Sequence, residues 1–244
     1  MQSIIFHDKV KKTLYILAGI AGISLIILIH EAGHFLFAQY FNVATPVFSI
    51  GFGPTLFEIP CKKTMLKIAL FPLGGYVEMD PDMLAEQSYI RKMLILFGGI
   101  LFNFIFAYGV LVFYTIRNKL SPSSNVSSSQ TMKQAFVTIF TQQNGNSTFI
   151  GPIGIISTIG QSLAINSQLY WFALAIISFN IGFLNMIPLP FFDGGKALLL
   201  TIETLIGKNI SMHIVWIISM TFLALFILFI TQITLNDVKR LWKK

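Results

Sequence analysis

Along this chain the hydrophobic positions gather into four long runs, and the polar positions fall between them. No Asp, Glu, Lys or Arg occurs in residues 93–116, 134–192 or 209–236, and between Lys12 and Glu58 the only charged side chain is Glu31. A helix needs about 20 apolar residues to cross a bilayer, so the runs predict spans at about 13–41, 93–116, 167–187 and 213–233. The first would be about 43 Å long if helical throughout, which exceeds the hydrocarbon core. Residues 42–92 break the pattern. Pro46, Gly51, Gly53, Pro54, Pro60 and Pro72 oppose helix, while Thr64–Phe71 and Gly75–Met79 read as short strands joined through Pro72-Leu73-Gly74-Gly75. A hairpin over about 62–80 is expected to dip toward the membrane, where irregular backbone survives only if protein or a wet cavity satisfies its polar groups. Ser, Asn, Gln and Thr dominate an exposed linker over about 117–148, and residues 149–165 are apolar but broken by glycine and proline, as at an interface. The expected fold is an all-α polytopic membrane protein with about four transmembrane helices and a small re-entrant β-hairpin, forming a single domain over 1–244.

Composition supports lipid as the main solvent. Hydrophobic residues make up 55% and charged residues 11% of the 244, against about 25% charged in soluble domains. The net charge of +7 does not indicate nucleic acid, because the basic residues sit mostly at span ends and form no stripe with interleaved aromatics. The single cysteine, Cys61, excludes an internal disulfide and a cysteine-based zinc site. The N-terminal apolar run behind Lys9, Lys11 and Lys12 is longer than a secretory signal core and has no small-residue cleavage site before the first histidine pair, so it is expected to stay as a span.

Candidate chemistry lies inside the first run. His30 and His34 are four apart and stack on one face of a helix, so both can reach one metal ion, while Glu31 projects about 100° round from His30, where it can address a water. Three ionisable groups within five residues of lipid-type sequence each cost about 2.5–3.5 kcal/mol if unpartnered, which favours a metal over ordinary helix contacts. Two histidines leave a tetrahedral ion short of one protein ligand. Of the ten acidic residues only Asp193 joins Glu31 beside long apolar sequence, following the prolines of Asn185-Met186-Ile187-Pro188-Leu189-Pro190-Phe191-Phe192 and preceding Gly194-Gly195. His7 and His213 are the other chemically suitable groups, both at span ends.

Three stretches, His30-Glu31-Ala32-Gly33-His34-Phe35, Phe71-Pro72-Leu73-Gly74-Gly75-Tyr76-Val77, and Asn185 through Gly195, occur in an order that resembles the site-2 protease family of intramembrane zinc metalloproteases, in its bacterial regulator-of-sigma-E protease branch. The resemblance implies His30, His34 and Asp193 as ligands of one catalytic zinc and Glu31 as catalytic base. It implies Gly74 and Gly75 in a membrane re-entrant β-loop, and Asn185 with Asn180 as substrate-positioning residues. It further implies single-span transmembrane substrates, a multi-pass location in a bacterial inner membrane, and an active site near the cytoplasmic face. Two departures stand out. Relatives of this branch usually carry PDZ domains between the second and third spans, and residues 117–150 hold none, so this is a compact form. Phe192 stands where the family usually has Leu.

Two other classes fit parts of the pattern. A zinc transporter also places histidine and glutamate in membrane helices, but calls for more spans and a second ligand-rich helix. A catalytically inactive scaffold would lack Glu31 or a ligand. The positive-inside rule leans the other way from the resemblance, with seven Lys and Arg in the 42–92 and 194–212 loops against ten in the N-terminus, second loop and tail. Zinc itself is implied by the resemblance, since histidine and carboxylate also bind other divalent metals.

Overall fold

The computed structural model describes residues 2–120, 152–208 and 210–242. In order, α1 (Gln2–Tyr40) leads to strands β1 (Val47–Cys61) and β2 (Thr64–Glu78). Then come α2 (Pro81–Ala85), α3 (Tyr89–Leu120), α4 (Pro152–Ile165), α5 (Ser167–Asn185), α6 (Asp193–Ile206) and α7 (Met212–Trp242). Four stretches are long and apolar enough to cross a membrane, Thr13–Tyr40, Tyr89–Arg117, Ser167–Asn185 and His213–Leu235. They fall on the four hydrophobic runs. The α4 helix, at about 21 Å, is shorter than a bilayer core. Helix α3 extends to Leu120, past the expected start of the linker, and most of that linker lies outside the described residues.

Local chemistry sets the ends of the elements. The α1 helix stops in a paired turn where Asn42 takes φ 59, its N–H donating to the Gln39 carbonyl at 3.0 Å and the Val43 N–H to the Ala38 carbonyl at 2.8 Å. Asparagine is one of the few residues that accepts this left-handed position. Val43 and Ala38 then pack together with Ile95 in a core completed by Phe37, Phe41, Met79 and Leu84. The α6 helix ends similarly on Gly207 at φ 69.

The strands differ from the expectation. Pro72-Leu73-Gly74-Gly75 is no turn, because β2 runs unbroken through it, and the hairpin turn lies at Lys62-Lys63 between Cys61 and its partner Thr64. The partner strand β1 occupies the stretch whose glycines and prolines oppose helix. Those residues bend a strand here: Gly51 and Gly53 take φ 94 and 88, and the register shifts repeatedly between Ile50 and Phe57, as at β-bulges. Val47–Ile50 takes partners from both ends of β2, Met65–Ile68 on one side and Gly75–Glu78 on the other. The start of β1 is therefore the middle of the small sheet, and Thr55–Cys61 forms its exposed outer part.

The chain divides into two compact units, residues 1–23, 107–177 and 229–244, and residues 24–106 and 178–228. In the first, α1 meets α4 through glycine. A Cβ on Gly19 would strike the Ile156 carbonyl and one on Gly160 the Tyr15 carbonyl. Tyr170 of α5 donates to the Ala18 carbonyl at 3.0 Å. In the second unit the later part of α1 crosses α3 where Gly33 faces Gly98, backbone against backbone, an approach that only small residues permit. This unit carries His30, Glu31, His34 and Asp193.

Candidate metal centre

Helical spacing brings the first two groups together. His30 and His34 lie on one face of α1, both 7% exposed, with Nε2 atoms 3.2 Å apart and ring planes at 82°. The third group arrives from α6. Two tight turns, Ile187 N–H to the Leu184 carbonyl and Phe192 N–H to the Leu189 carbonyl, carry the chain across Pro188 and Pro190 and start a new helix at Asp193. Gly194 and Gly195 are helical and have no positive φ. Their missing side chains instead let α6 pack on the preceding loop, where a Cβ would strike the Met186 and Leu189 carbonyls. Asp193 Oδ2 then lies 3.0 Å from His30 Nε2 and 3.1 Å from His34 Nε2.

These three atoms form a nearly equilateral triangle. A tetrahedral zinc with bonds of about 2.0–2.1 Å separates its ligand atoms by roughly 3.3 Å, so the triangle has the size of one face of such a site. No other group of three or more metal-binding side chains occurs among the described residues. The space beside it is kept open by Gly99, whose Cβ would lie 2.5 Å from His34 Nε2 and 2.7 Å from His30 Nε2. Two borderline nitrogens and one anionic oxygen with a cavity on the fourth side fit a divalent cation, and zinc foremost.

The supporting groups fix the protonation states. His34 Nδ1 donates to the Ile95 carbonyl at 2.8 Å. Burial alone would raise the Asp193 carboxyl, but its hydrogen bonds with the His30 and His34 rings and the Lys196 ammonium beside it outweigh burial and hold the group well below the usual carboxylate range. Asp193 is therefore an anion at neutral pH. Its other oxygen, Oδ1, accepts from Lys196 Nζ at 3.2 Å.

A cavity of about 530 Å³ opens on the triangle, lined by His30, Glu31, His34, Asp193, Gly75, Asn185, Lys92 and Lys196 among others. Glu31 is close to β2, its Cγ 3.1 Å from where a Cβ on Gly75 would stand. Asn185 lines the cavity while its amide donates to the Ile181 carbonyl at 3.1 Å. Asn180 and Gly74 are not among the lining residues. Asn180 lies five residues before Asn185, about 140° round the helix, and Gly74 is covered by the Phe52 ring. Sequence reasoning gave Lys196, Gly99 and Asn103 no part in the site. The available signal was a lone amide deep in an apolar run, four residues after a glycine pair.

Two imidazoles and a carboxylate around one cavity, with a glutamate beside the first imidazole, make a metal centre of the kind metallopeptidases use, carried on helices long enough to cross a membrane. The family model of peptidase family M50 matches residues 18–229, and the chain belongs to that family. Proteins named "putative zinc metalloprotease" resemble it in Borreliella burgdorferi, 37% identical over 42% of this chain and 28% of that protein, and in Fusobacterium nucleatum, 22% identical over 93% and 99%. A third, from Helicobacter pylori, is 39% identical over 40% of this chain. The chain thus spans about a third or less of the Borreliella and Helicobacter proteins. The Fusobacterium alignment runs to 342 positions, so that relative carries inserted segments where this chain has none.

Proposed function

We propose that this protein is an intramembrane zinc metalloendopeptidase that hydrolyses peptide bonds within or near the transmembrane segments of single-span substrates. The observation that carries the reading is the 3.0–3.2 Å triangle of His30, His34 and Asp193 beside the Glu31-lined cavity. A zinc bound there supplies Lewis-acid polarisation of the scissile carbonyl and lowers the pKa of water toward about 7. Glu31 takes a proton from the attacking water and delivers it to the leaving amine. Asn185 turns its amide from the Ile181 carbonyl toward the developing oxyanion. The apolar runs support a bilayer location, as does α7, whose most apolar stretch has no residue buried against the chain.

The same reading makes the β1–β2 hairpin a re-entrant loop. A helical substrate hides its carbonyls in its own hydrogen bonds and must unwind before attack, and an exposed strand edge can hold the extended stretch by strand addition. Phe52, Leu56, Phe57, Ile59, Leu70 and Phe71 are all about half exposed or more, a surface suited to hydrocarbon. The reading extends to a bacterial inner membrane with the site near the cytoplasmic face, an expectation that a reporter fused at Lys244 tests. The activity test is cleavage of a labelled single-span peptide in liposomes. Wild type should cut, and both chelator-treated protein and Glu31→Gln should not. Cleavage that survives chelation and the Gln variant overturns the assignment.

A further inference from the structure

Two lysines line the cavity beside the triangle, and they are held differently. Lys196 is tied to Asp193 Oδ1 at 3.2 Å. Lys92, half-buried in the first turn of α3, donates from Nζ to the Ala85 carbonyl at 2.7 Å and has no carboxylate within ion-pair distance among the described residues. Asp82 and Glu86 stand nearby in sequence, yet neither neutralises it. An ammonium carries three donors, so two are left for a ligand. Lys92 is also near the candidate centre. It precedes Ile95, whose carbonyl meets His34 Nδ1, by one turn of α3, about 4.5 Å along the helix axis. Val77, Met79, Leu84, Leu96 and Leu200 line the same cavity, and an unmatched cation among apolar groups attracts an anion more strongly than one in open water.

We propose that Lys92 forms a subsite for an acidic side chain, Asp or Glu, of the substrate. The inference rests on the reading above, in which the peptide is cut in this cavity. A cavity of about 530 Å³ is on the order of 10 Å across, room for about three residues of extended chain at ~3.3 Å each. The acidic residue therefore lies within about three positions of the scissile bond. Its depth suits a carboxylate. Lys92 stands where the apolar stretch Tyr89–Arg117 begins, so the acid stays at the edge of the apolar layer, away from the mid-bilayer depth at which an ionised group is most costly. A substrate Lys or Arg at the same position would face the Lys92 ammonium and be rejected, which makes the charge a selector as well as an anchor. The Ala85 carbonyl closes the end of α2 but leaves that charge unmatched.

The test uses the full chain in phosphatidylcholine vesicles with labelled single-span peptides that carry Glu, Gln or Lys at positions on either side of the scissile bond. At one or two of these positions wild type should cleave the Glu peptide with a kcat/KM about fivefold or more above the Lys peptide, the size expected of a partly exposed charge pair, with Gln between. Lys92→Glu should reverse that order, Lys92→Met should abolish the preference, and Lys92→Arg should keep it. Binding is the second readout. Chelator-treated wild type and Lys92→Glu, followed by fluorescence anisotropy in detergent, should rank the peptides in the same two opposite orders. A Glu-to-Lys ratio shared by wild type and Lys92→Glu at every position overturns the subsite, because a purely structural lysine slows all peptides together. Turnover that follows added phosphatidylglycerol instead of peptide charge also overturns it, and gives Lys92 to a lipid headgroup. Wild type that cuts the Glu and Lys peptides equally at all positions overturns it with no variant needed. Wild type that cuts no peptide overturns the protease reading, and the binding order then decides the subsite.

Discussion

Lys196 Nζ lies 3.2 Å from Asp193 Oδ1, the carboxylate oxygen that neither histidine uses. One turn of α6 separates the two residues, so the lysine reaches back over the carboxylate and holds Oδ2 alone toward the imidazoles. The Lys196 side chain is 56% exposed, and an ion pair in contact with water is worth only about 0.2–1 kcal/mol. Lys196→Met should therefore weaken zinc binding by no more than about fivefold, whereas Asp193→Ala should lose at least a hundredfold. Chelator competition measures both. A Met variant as damaged as the Ala variant would make Lys196 part of the site proper.

Gly99 and Gly33 are both intolerant of a side chain, for different reasons. A Cβ on Gly99 meets the His30 and His34 rings, which can swing aside, whereas a Cβ on Gly33 meets the Gly98 carbonyl and the Gly99 nitrogen of the crossing helix, which cannot move without separating α1 from α3. Gly99→Ala should thus keep its unfolding temperature in detergent and lose zinc affinity by at least tenfold. Gly33→Ala should destabilise the protein by about 1–3 kcal/mol through overpacking. Gly109, with nothing within 4 Å, is the control, and Gly109→Ala should change neither. Zinc affinity unaffected in Gly99→Ala would mean that the rings do not converge as described.

The four apolar helices and the His30–His34 face were legible because each rests on local periodicity, 18-residue runs and a four-residue spacing that hold whatever the rest of the chain does. Asp193 was legible by elimination, as the carboxylate following two prolines within apolar sequence. The β1 strand was not. Its glycines and prolines are breakers by local rules, and only the pairing of Val47–Ile50 with residues far along the chain turns them into bulges of a strand. The turn at Lys62-Lys63 was missed for a related reason, since Lys62 at φ 54 lacks the Asn-Gly or Asp-Gly chemistry that marks a two-residue hairpin. Asn103 was not legible as a neighbour of the site, because its partner His30 lies 73 residues away.

Glu31 and Gly75 connect the candidate base to the sheet. A Cβ on Gly75 would stand 2.9 Å from the Ser49 carbonyl oxygen of β1, 3.1 Å from Glu31 Cγ and 3.4 Å from Ile27 Cγ2, so the glycine lets the two strands and the glutamate meet beside the cavity. Two substitutions then affect turnover while leaving the three metal-facing groups in place. Glu31→Gln keeps the size of the side chain and removes the base, and should retain zinc while lowering kcat at least a hundredfold, in line with general-base contributions of about 10²–10⁴. Gly75→Val crowds both the Ser49 carbonyl of β1 and Glu31 without removing the base, and should lower kcat by a smaller factor, with zinc content again unchanged. Zinc stoichiometry and single-turnover cleavage, measured on the same preparations, check the pair. A Gln variant with near-normal turnover would remove Glu31 from the chemistry, and a Val variant that loses zinc would show that the sheet supports the metal-facing groups rather than the base.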